Sequence, residues 1–312
     1  ELDEVCPPDT IFASNTSALS ITEMGSATNR PHRMIGMHFF SPAHIMKLVE
    51  IIPSPETEQD AVDTVEQFTQ ELRKIPVIVK ECPGFLVNRL LLPYLNEAAM
   101  ALEQGAATAE EIDGAMGRGG FGWPMGPFFL MDMIGIDVCY HTGENILPYD
   151  PKPYPEPKLF TKLMEAERYG EKAGVGFYTY TKTDAEPLET IIQQLQESGE
   201  VQTGTRFSVD RLMMPFFNEA ARCVAEEIAN VNDIDMACIA GIGMQVNKDG
   251  EIVRMGPLEY MDEVGLDVIV EKMEALEKEF GPRFHPEDIL TQKVRAGNLG
   301  KGTGYGFKEY TT

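Results

Sequence analysis

The segment GFLVNRLLLPYLNEAA, residues 84–99, returns 122 positions later as RFSVDRLMMPFFNEAA, residues 206–221, and this repeat decides the fold of the chain. Two further matches follow in the same order at an offset of 130: GPFFLMDMIGID with GPLEYMDEVGLD, and GVGFYTY with GYGFKEY. Matches in the same order predict a duplicated domain. The change of offset predicts a polar, turn-like insertion near Gln245 to Glu251. Two copies that share an interface are expected to pack like the halves of an isologous dimer.

Both copies are predicted to be helical. In the first, residues 88–104 form a long amphipathic segment that ends before Gly105, a plausible helix stop. The first eighty residues have a different pattern, with short apolar strands predicted at 11–13, 33–40, 47–52 and 75–79. A helix at 57–72, with apolar residues at helical spacing, separates the last two strands. The alternation of strands, loops and a helix predicts an α/β sheet domain.

Composition limits the classes of partner. The formal net charge of −24 makes nucleic acid and anionic membrane surfaces poor partners. Charged residues, glycine or proline interrupt every long apolar stretch, so we expect no transmembrane helix. Five scattered cysteines without metal-ligand spacing fit a reducing compartment. The chain opens at Glu1 without methionine, which suggests a piece of a longer protein.

Four polar residues form the strongest candidate catalytic group: Ser17, His38, Glu50 and Asn88. If the strands that carry His38 and Glu50 are neighbours, the carboxylate can accept a hydrogen bond from one imidazole nitrogen and fix the tautomer. The other nitrogen is then free to take a proton near neutral pH. Each residue also has a structural interpretation: a half-buried histidine, a turn serine and an N-cap asparagine. Glu50 is harder to explain structurally, because a buried carboxylate needs a partner.

Two other kinds of site are not predicted. The motif GRGGFG, residues 117–122, spells a dinucleotide fingerprint, but a helical segment precedes it and Trp123-Pro124 follows it. Because the fingerprint needs a strand before it and a helix after it, this motif is interpreted as a glycine-rich turn. We find no spacing for a metal site and no nucleophile elbow.

These segments resemble the L-3-hydroxyacyl-CoA dehydrogenases. The resemblance rests on FASNTSALSIT, RMIGMHFFSPAHIMKLVEII, CPGFLVNRLLLPYLNEA and GWPMGPFFLMDMIGID, and it covers nearly the whole chain. The second helical copy resembles the multifunctional enzymes of fatty-acid β-oxidation. The implied fold is the C-terminal part of a Rossmann-type NAD-binding domain, residues 1–81, followed by a duplicated all-α C-terminal domain. Its copies are expected at 82–180 and 205–312, with a linker at 181–204.

The resemblance implies a role for each candidate residue. His38 matches the general base, Glu50 its orienting carboxylate, and Ser17 and Asn88 groups that hydrogen-bond the substrate. Ser17 also matches a contact to the NAD cofactor, as do Ser41 and Lys172. Asp210 stands in the second copy where the first has Asn88, which favours a structural role for that copy.

The family's glycine-rich half of the NAD-binding domain does not occur in these 312 residues, so we expect weak or absent NAD binding. The expected substrate is an acyl-CoA, the expected partner is a thiolase subunit or a second copy of the chain, and the expected compartment is the cytoplasm. Two alternatives remain open: a non-catalytic helical module that docks a partner subunit, and a dehydrogenase of 3-hydroxyacids without CoA.

Overall fold

The structure, a computed structural model, describes residues 1–146 and 154–310. Its N-terminal unit is a four-stranded sheet in the order β1-β2-β3-β4 with three helices. Strands β1 and β2 are parallel, β2 and β3 antiparallel, and β3 and β4 parallel. The elements are α1 Leu2–Val5, β1 Phe12–Ser14, α2 Ile21–Ser26, β2 Met34–Phe39, β3 Leu48–Pro53, α3 Gln59–Glu71 and β4 Ile75–Ile78.

Helix α3 covers one face of this sheet, as its apolar spacing predicts. Ala61, Val62 and Val65 are buried against the strands, whereas Phe68 and Leu72 are exposed. The buried stripe continues through Thr69 instead. The apolar period therefore identified the helix correctly but placed its buried stripe slightly off centre.

The helical region follows in two copies. Copy 1 contains α4 Val87–Glu103, α5 Ala109–Met116, α6 Pro127–Ile134, α7 Ile136–Ile146 and α8 Lys158–Glu165. The expected linker contains one helix, α9 Leu188–Glu197. Copy 2 contains α10 Val209–Ala225, α11 Val231–Ile242, β5 Gln245–Lys248, β6 Glu251–Arg254, α12 Pro257–Val264, α13 Leu266–Phe280 and α14 Asp288–Arg295.

The expected insertion is an antiparallel hairpin, β5–β6, where the sequence predicted only a turn. The Asn247 amide donates to the Phe121 carbonyl at 2.7 Å, so the hairpin contacts copy 1. It contacts the glycine-rich motif directly, because a Cβ on Gly122 would lie 2.4 Å from the Asn247 nitrogen. Gly122 of this motif thus permits close packing between the copies.

The two copies meet through α4 and α10 in a reciprocal way. Arg89 of copy 1 pairs with Glu219 of copy 2 at 2.5 Å. Its equivalent Arg211 pairs with Glu97, the equivalent of Glu219, at 3.0 Å. A pair of contacts in which residue i meets j and j meets i is the signature of an isologous interface. The two copies therefore have the arrangement expected from the repeat.

Aromatic side chains fill the space between the copies. Trp123 is buried, with its ring centroid 4.8 Å from that of Tyr94 and 5.5 Å from that of Phe216 in copy 2. Trp123 and Phe128 both belong to the main core.

The same buried carboxylate motif closes each copy. Asp132 accepts hydrogen bonds from the amides of Phe177 and Tyr178, and Asp262 does so at the matching positions of copy 2. A Cβ on Gly176 would lie 2.0 Å from the Asp132 oxygen, and the same distance holds for Gly306 and Asp262. This close approach explains why both copies keep glycine there.

Candidate active site

His38 and Glu50 lie directly opposite each other on the antiparallel strands β2 and β3. Opposed residues of such a pair have side chains close enough for direct contact. The Nδ1 atom of His38 is 2.7 Å from Oε2 of Glu50. His38 is 4% exposed and Glu50 is fully buried. The carboxylate is therefore placed to accept from Nδ1, which leaves Nε2 as the free nitrogen.

The second oxygen of Glu50 is held by the start of helix α4. Oε1 accepts from the amide of Val87 at 2.9 Å and from that of Leu86 at 3.3 Å. Amides in the first turn of a helix lack intrahelical partners and favour a negative charge. Helix α4 thus provides the partners that a buried carboxylate at this position requires.

A left-handed turn aims these two amides at Glu50. Gly84 has φ 75° and Phe85 has φ 53°. A Cβ on Gly84 would lie 2.4 Å from Cδ1 of Ile146, at the end of α7. Glycine is therefore needed here for both its backbone conformation and its small size. In copy 2, Arg206 and Phe207 occupy these positions without a left-handed conformation.

Ser17 extends the hydrogen-bonded group from the loop after β1. Its Oγ atom is 3.0 Å from Nε2 of His38. Nδ2 of Asn88 donates to the backbone oxygen of Ser17 at 3.5 Å. Asn88 lies inside the first turn of α4 and is not its N-cap, so that structural interpretation is wrong. All four predicted residues are connected at the junction of the sheet and copy 1.

The remaining two predicted residues lie apart from this group. Ser41 is exposed in the segment after β2, and its side chain has no hydrogen bond with the described residues. Lys172 pairs with Asp137 at 2.6 Å. No contact within the described ranges joins Lys172 to the four residues around His38.

The structure adds supporting groups that the sequence did not single out. The rings of Phe40 and Phe85 have centroids 4.7 Å and 5.7 Å from that of His38 and enclose the imidazole. Glu81 accepts from Oγ of Ser20 at 2.7 Å and from the amide of Thr22 at 3.1 Å. Burial alone would raise the pKa of Glu81, but a hydrogen bond from the Thr22 hydroxyl, together with these two, lowers it below its ordinary value. The Pro83-Gly84 dipeptide was the available sequence signal for the turn that precedes α4.

Residues 1–146 and 154–310 contain no group of three histidine, cysteine, aspartate or glutamate side chains that could hold a metal ion. In the same ranges no helix is both long enough and apolar enough to cross a membrane. All five cysteines are free thiols.

The 3-hydroxyacyl-CoA dehydrogenase family matches both parts of the chain. The model of its NAD-binding domain matches residues 1–82. The model of its C-terminal domain matches residues 84–180 and again residues 207–310. The chain therefore belongs to the 3-hydroxyacyl-CoA dehydrogenase family. The predicted resemblance and fold class, an α/β unit followed by the helical C-terminal domain, are confirmed.

Particular relatives narrow the comparison. The fatty acid oxidation complex subunit alpha of Vibrio cholerae is 36% identical over 303 residues, which are 95% of this chain and 41% of that protein. The same subunit of Acinetobacter baylyi is 39% identical over 270 residues, 83% of this chain and 36% of that protein. The chain thus spans about two-fifths of the length of these curated relatives.

Solved structures agree with this picture. The 3-hydroxybutyryl-CoA dehydrogenase of Escherichia coli K12 has a TM-score of 0.79 at 26% identity and covers 95% of this chain and 77% of its own. The dehydrogenase part of multifunctional enzyme 1 from C. elegans has a TM-score of 0.61 at 26% identity, over 93% and 66%. A (S)-3-hydroxybutyryl-CoA dehydrogenase from Ralstonia eutropha is 41% identical, with a TM-score of 0.54 over 58% and 64%.

Proposed function

We propose that this chain is the dehydrogenase portion of an NAD-dependent L-3-hydroxyacyl-CoA dehydrogenase of fatty-acid β-oxidation, which oxidises 3-hydroxyacyl-CoA to 3-oxoacyl-CoA. The observation that carries the proposal is the hydrogen-bonded series from Ser17 through His38 and Glu50 to the amides of α4. Membership of the family supports the same reaction class. The printed names of the relatives describe fatty acid oxidation and 3-hydroxybutyryl-CoA dehydrogenation.

His38 is the proposed general base. Its Nε2 atom takes the proton of the substrate 3-hydroxyl group as the C3 carbonyl forms. Glu50 accepts from Nδ1, so it fixes the tautomer with a free Nε2 lone pair and stabilises the imidazolium that results. Because the Val87 and Leu86 amides satisfy the other oxygen of Glu50, the carboxylate remains oriented toward the imidazole. When NAD is bound, its nicotinamide supplies the acceptor for the hydride from C3.

Ser17 and Asn88 are the proposed substrate-binding groups. The Ser17 hydroxyl already contacts Nε2 of His38, which is the atom that the substrate hydroxyl must reach. The Asn88 side chain lies at the same junction and can donate to the reacting oxygen. We assign Ser41 and Lys172 to cofactor contacts on the family resemblance alone.

The polar groups around His38 fit the nicotinamide end of NAD better than its pyrophosphate end. Polar groups at the carboxyl ends of β1 and β2 are placed where open α/β sheets bind ligands. A glycine-rich turn between a strand and a helix, which would cradle the pyrophosphate, does not occur in these 312 residues. We therefore propose that these residues alone bind NAD weakly.

We propose a division of the chain into an NAD-binding unit at 1–81, helical copies at 82–180 and 205–312, and a linker at 181–204. Copy 2 acts as a structural partner of copy 1. Asp210, the equivalent of Asn88, is paired with Lys272 at 2.9 Å instead of facing a site. We also propose that the chain functions in the cytoplasm as part of a β-oxidation complex, with a thiolase subunit or a second copy of the chain as its partner.

Replacing His38 tests this function. In the parent enzyme of which this chain is the proposed dehydrogenase portion, the His38→Ala variant should oxidise (S)-3-hydroxybutyryl-CoA with NAD about 10²- to 10⁴-fold more slowly, the usual contribution of a general base; this chain alone should turn over poorly. His141→Ala is the matched control, because His141 forms a comparable pair with Glu144 on the surface, at 2.8 Å. An unchanged rate in His38→Ala would remove His38 from the mechanism. Equal rates with free 3-hydroxybutyrate would contradict the CoA-thioester substrate.

A further inference from the structure

Copy 1 carries an exposed apolar surface on α6, which we call the α6 face and define by Phe129, Met133 and Tyr178. Phe129 and Met133 lie one helical turn apart and are 47% and 43% exposed. The Tyr178 ring stacks on Phe129 with a centroid distance of 4.3 Å and an interplanar angle of 16°. Ile134 and Val138, next along the chain, are exposed as well. A contiguous exposed apolar patch commonly marks an interaction site.

Copy 2 shows that the fold does not require apolar residues there. At the three equivalent positions, copy 2 has Glu259, Glu263 and Lys308. These side chains are paired with one another or with nearby lysines. Lys308 contacts Glu259 at 3.3 Å and Lys301 contacts Glu263 at 2.8 Å. The same scaffold thus carries a neutralised ionic surface in copy 2 and an apolar one in copy 1.

The rim of the α6 face is acidic. Glu110 and Glu171 are exposed on the elements that flank Tyr178 and Tyr180. Burial is the main cause that raises the pKa values of these two phenols, followed by the adjacent carboxylates of Asp113 for Tyr178 and Asp132 for Tyr180. The negative charge of Glu110 adds to the shift of Tyr178, and that of Glu171 to the shift of Tyr180. Lys172, beside Gly135 at the end of α6, is already paired with Asp137.

An acidic rim around an apolar centre favours one kind of occupant. It is complementary to a segment with apolar side chains flanked by lysine or arginine. At this face a second molecule of the chain fits less well, because the chain carries a formal net charge of −24 and like charges oppose contact with the acidic rim.

We propose that the α6 face of copy 1 docks a cationic, apolar segment of a partner protein. This inference rests on the proposed function in one respect: the partner protein is taken to belong to the proposed β-oxidation complex. Its evidence is the difference between two copies of one domain within a single chain. Copy 2, which lacks the apolar surface, does not dock this segment.

The test uses defined peptides as probes and the full chain as the receptor. Two 18-residue amphipathic helical peptides, one of leucine and lysine and one of leucine and glutamate, are titrated by fluorescence anisotropy near physiological salt. A serine and lysine peptide of equal charge measures binding by charge alone. The variant Phe129→Glu/Met133→Glu copies the residues of copy 2, and circular dichroism checks that it folds. Phe68→Glu is the control, since Phe68 on α3 is 48% exposed.

We expect the leucine and lysine peptide to bind the unsubstituted chain and the Phe68→Glu control with equal affinity. Its affinity for Phe129→Glu/Met133→Glu should be at least tenfold lower. Equal binding by all three proteins, or by the serine and lysine peptide, would overturn the proposal. Sedimentation of the chain alone is the second measurement. If the chain forms a dimer, and Phe129→Glu/Met133→Glu is monomeric, the α6 face binds a second molecule of the chain and the proposed partner segment is wrong. His38→Ala should bind the peptide normally, so a failure of docking and a failure of the dehydrogenase assignment are distinguishable.

Discussion

Replacing Glu50 by glutamine should change which nitrogen of His38 carries the proton. In Glu50→Gln either the oxygen or the NH₂ group of the side-chain amide can face the imidazole. Oε1 of Glu50 accepts from the amides of Val87 and Leu86 at 2.9 and 3.3 Å. An NH₂ group in that place would leave two buried donors without an acceptor, which costs about 1–3 kcal/mol for each. The glutamine NH₂ is therefore forced toward Nδ1 of His38.

This orientation gives the size of the effect on catalysis. An NH₂ group facing Nδ1 makes that nitrogen an acceptor and places the proton on Nε2, the proposed base. Reaching the reactive tautomer then costs about 1–3 kcal/mol for opposed donors. The imidazolium also loses its carboxylate, worth about 1.5–3 kcal/mol for a charged hydrogen bond. Together these terms predict a rate about 10²- to 10⁴-fold lower.

Two measurements separate the tautomer from the rate. The ¹⁵N spectrum of His38 reports which ring nitrogen is protonated, and turnover is measured in the parent enzyme with (S)-3-hydroxybutyryl-CoA and NAD. Glu103→Gln is the control, because Glu103 is also buried and accepts one helix amide, that of Leu159 at 2.8 Å. The control should change neither quantity. A Glu50→Gln protein that keeps its proton on Nδ1, or that changes tautomer and still turns over within about threefold, would refute this reasoning.

Three further substitutions test the supports of the site and of the fold. Gly84→Ala should lower stability by about 1–2 kcal/mol, because alanine disfavours φ 75° and its Cβ would lie 2.4 Å from Ile146. Turnover of Gly84→Ala should fall together with its stability, and adding Ile146→Ala should restore part of the stability and part of the turnover. Chemical denaturation measures the stability, and an activity assay measures the turnover. Burial raises the pKa of Asp113 to about 6. Its folded-state pKa exceeds its unfolded value, so up to about 3 kcal/mol of stability should be lost as the pH rises from 4 to 6.5. Asp113→Asn should flatten that part of the pH profile, and an unchanged slope would contradict the assignment. Arg211→Met should cost about 1–3 kcal/mol in urea unfolding, because it removes a fully buried partner of Glu97 and leaves that carboxylate paired only with Arg283. A loss below 1 kcal/mol would argue against a stabilising reciprocal interface.

The sequence was informative wherever local pattern and tertiary position coincide. Strand β3 was predicted because apolar residues surround Glu50, and the same pattern marked that carboxylate as needing a partner. The repeat identified α4 and α10 as equivalent helices, and conserved arginine and glutamate positions became the reciprocal ion pairs. In each case one period or one offset determines which side chains face one another.

Other features depend on contacts that no local pattern contains. Phe68 belongs to the apolar face of α3 but is exposed, because the buried stripe runs through Thr69. The amides that hold Glu50 are backbone groups, and no residue type identifies them. Lys172 is assigned to the cofactor by resemblance alone, and its ion pair with Asp137, 35 positions earlier, is a contact that the sequence did not predict.

The duplication separates residues kept for packing from residues kept for function. Positions shared by the copies have a geometric reason: Gly126 and Gly256, for example, would each place a Cβ 2.3 Å from an oxygen of a buried aspartate. The differences discussed above fall into two groups. Gly84 and Asn88 of copy 1 border the His38 site. Phe129 lies instead on the exposed, apolar α6 face. Both groups distinguish copy 1, and neither is needed to fold copy 2. A shared scaffold with different surfaces is therefore consistent with the two contacts proposed for copy 1, one with substrate and one with a partner segment.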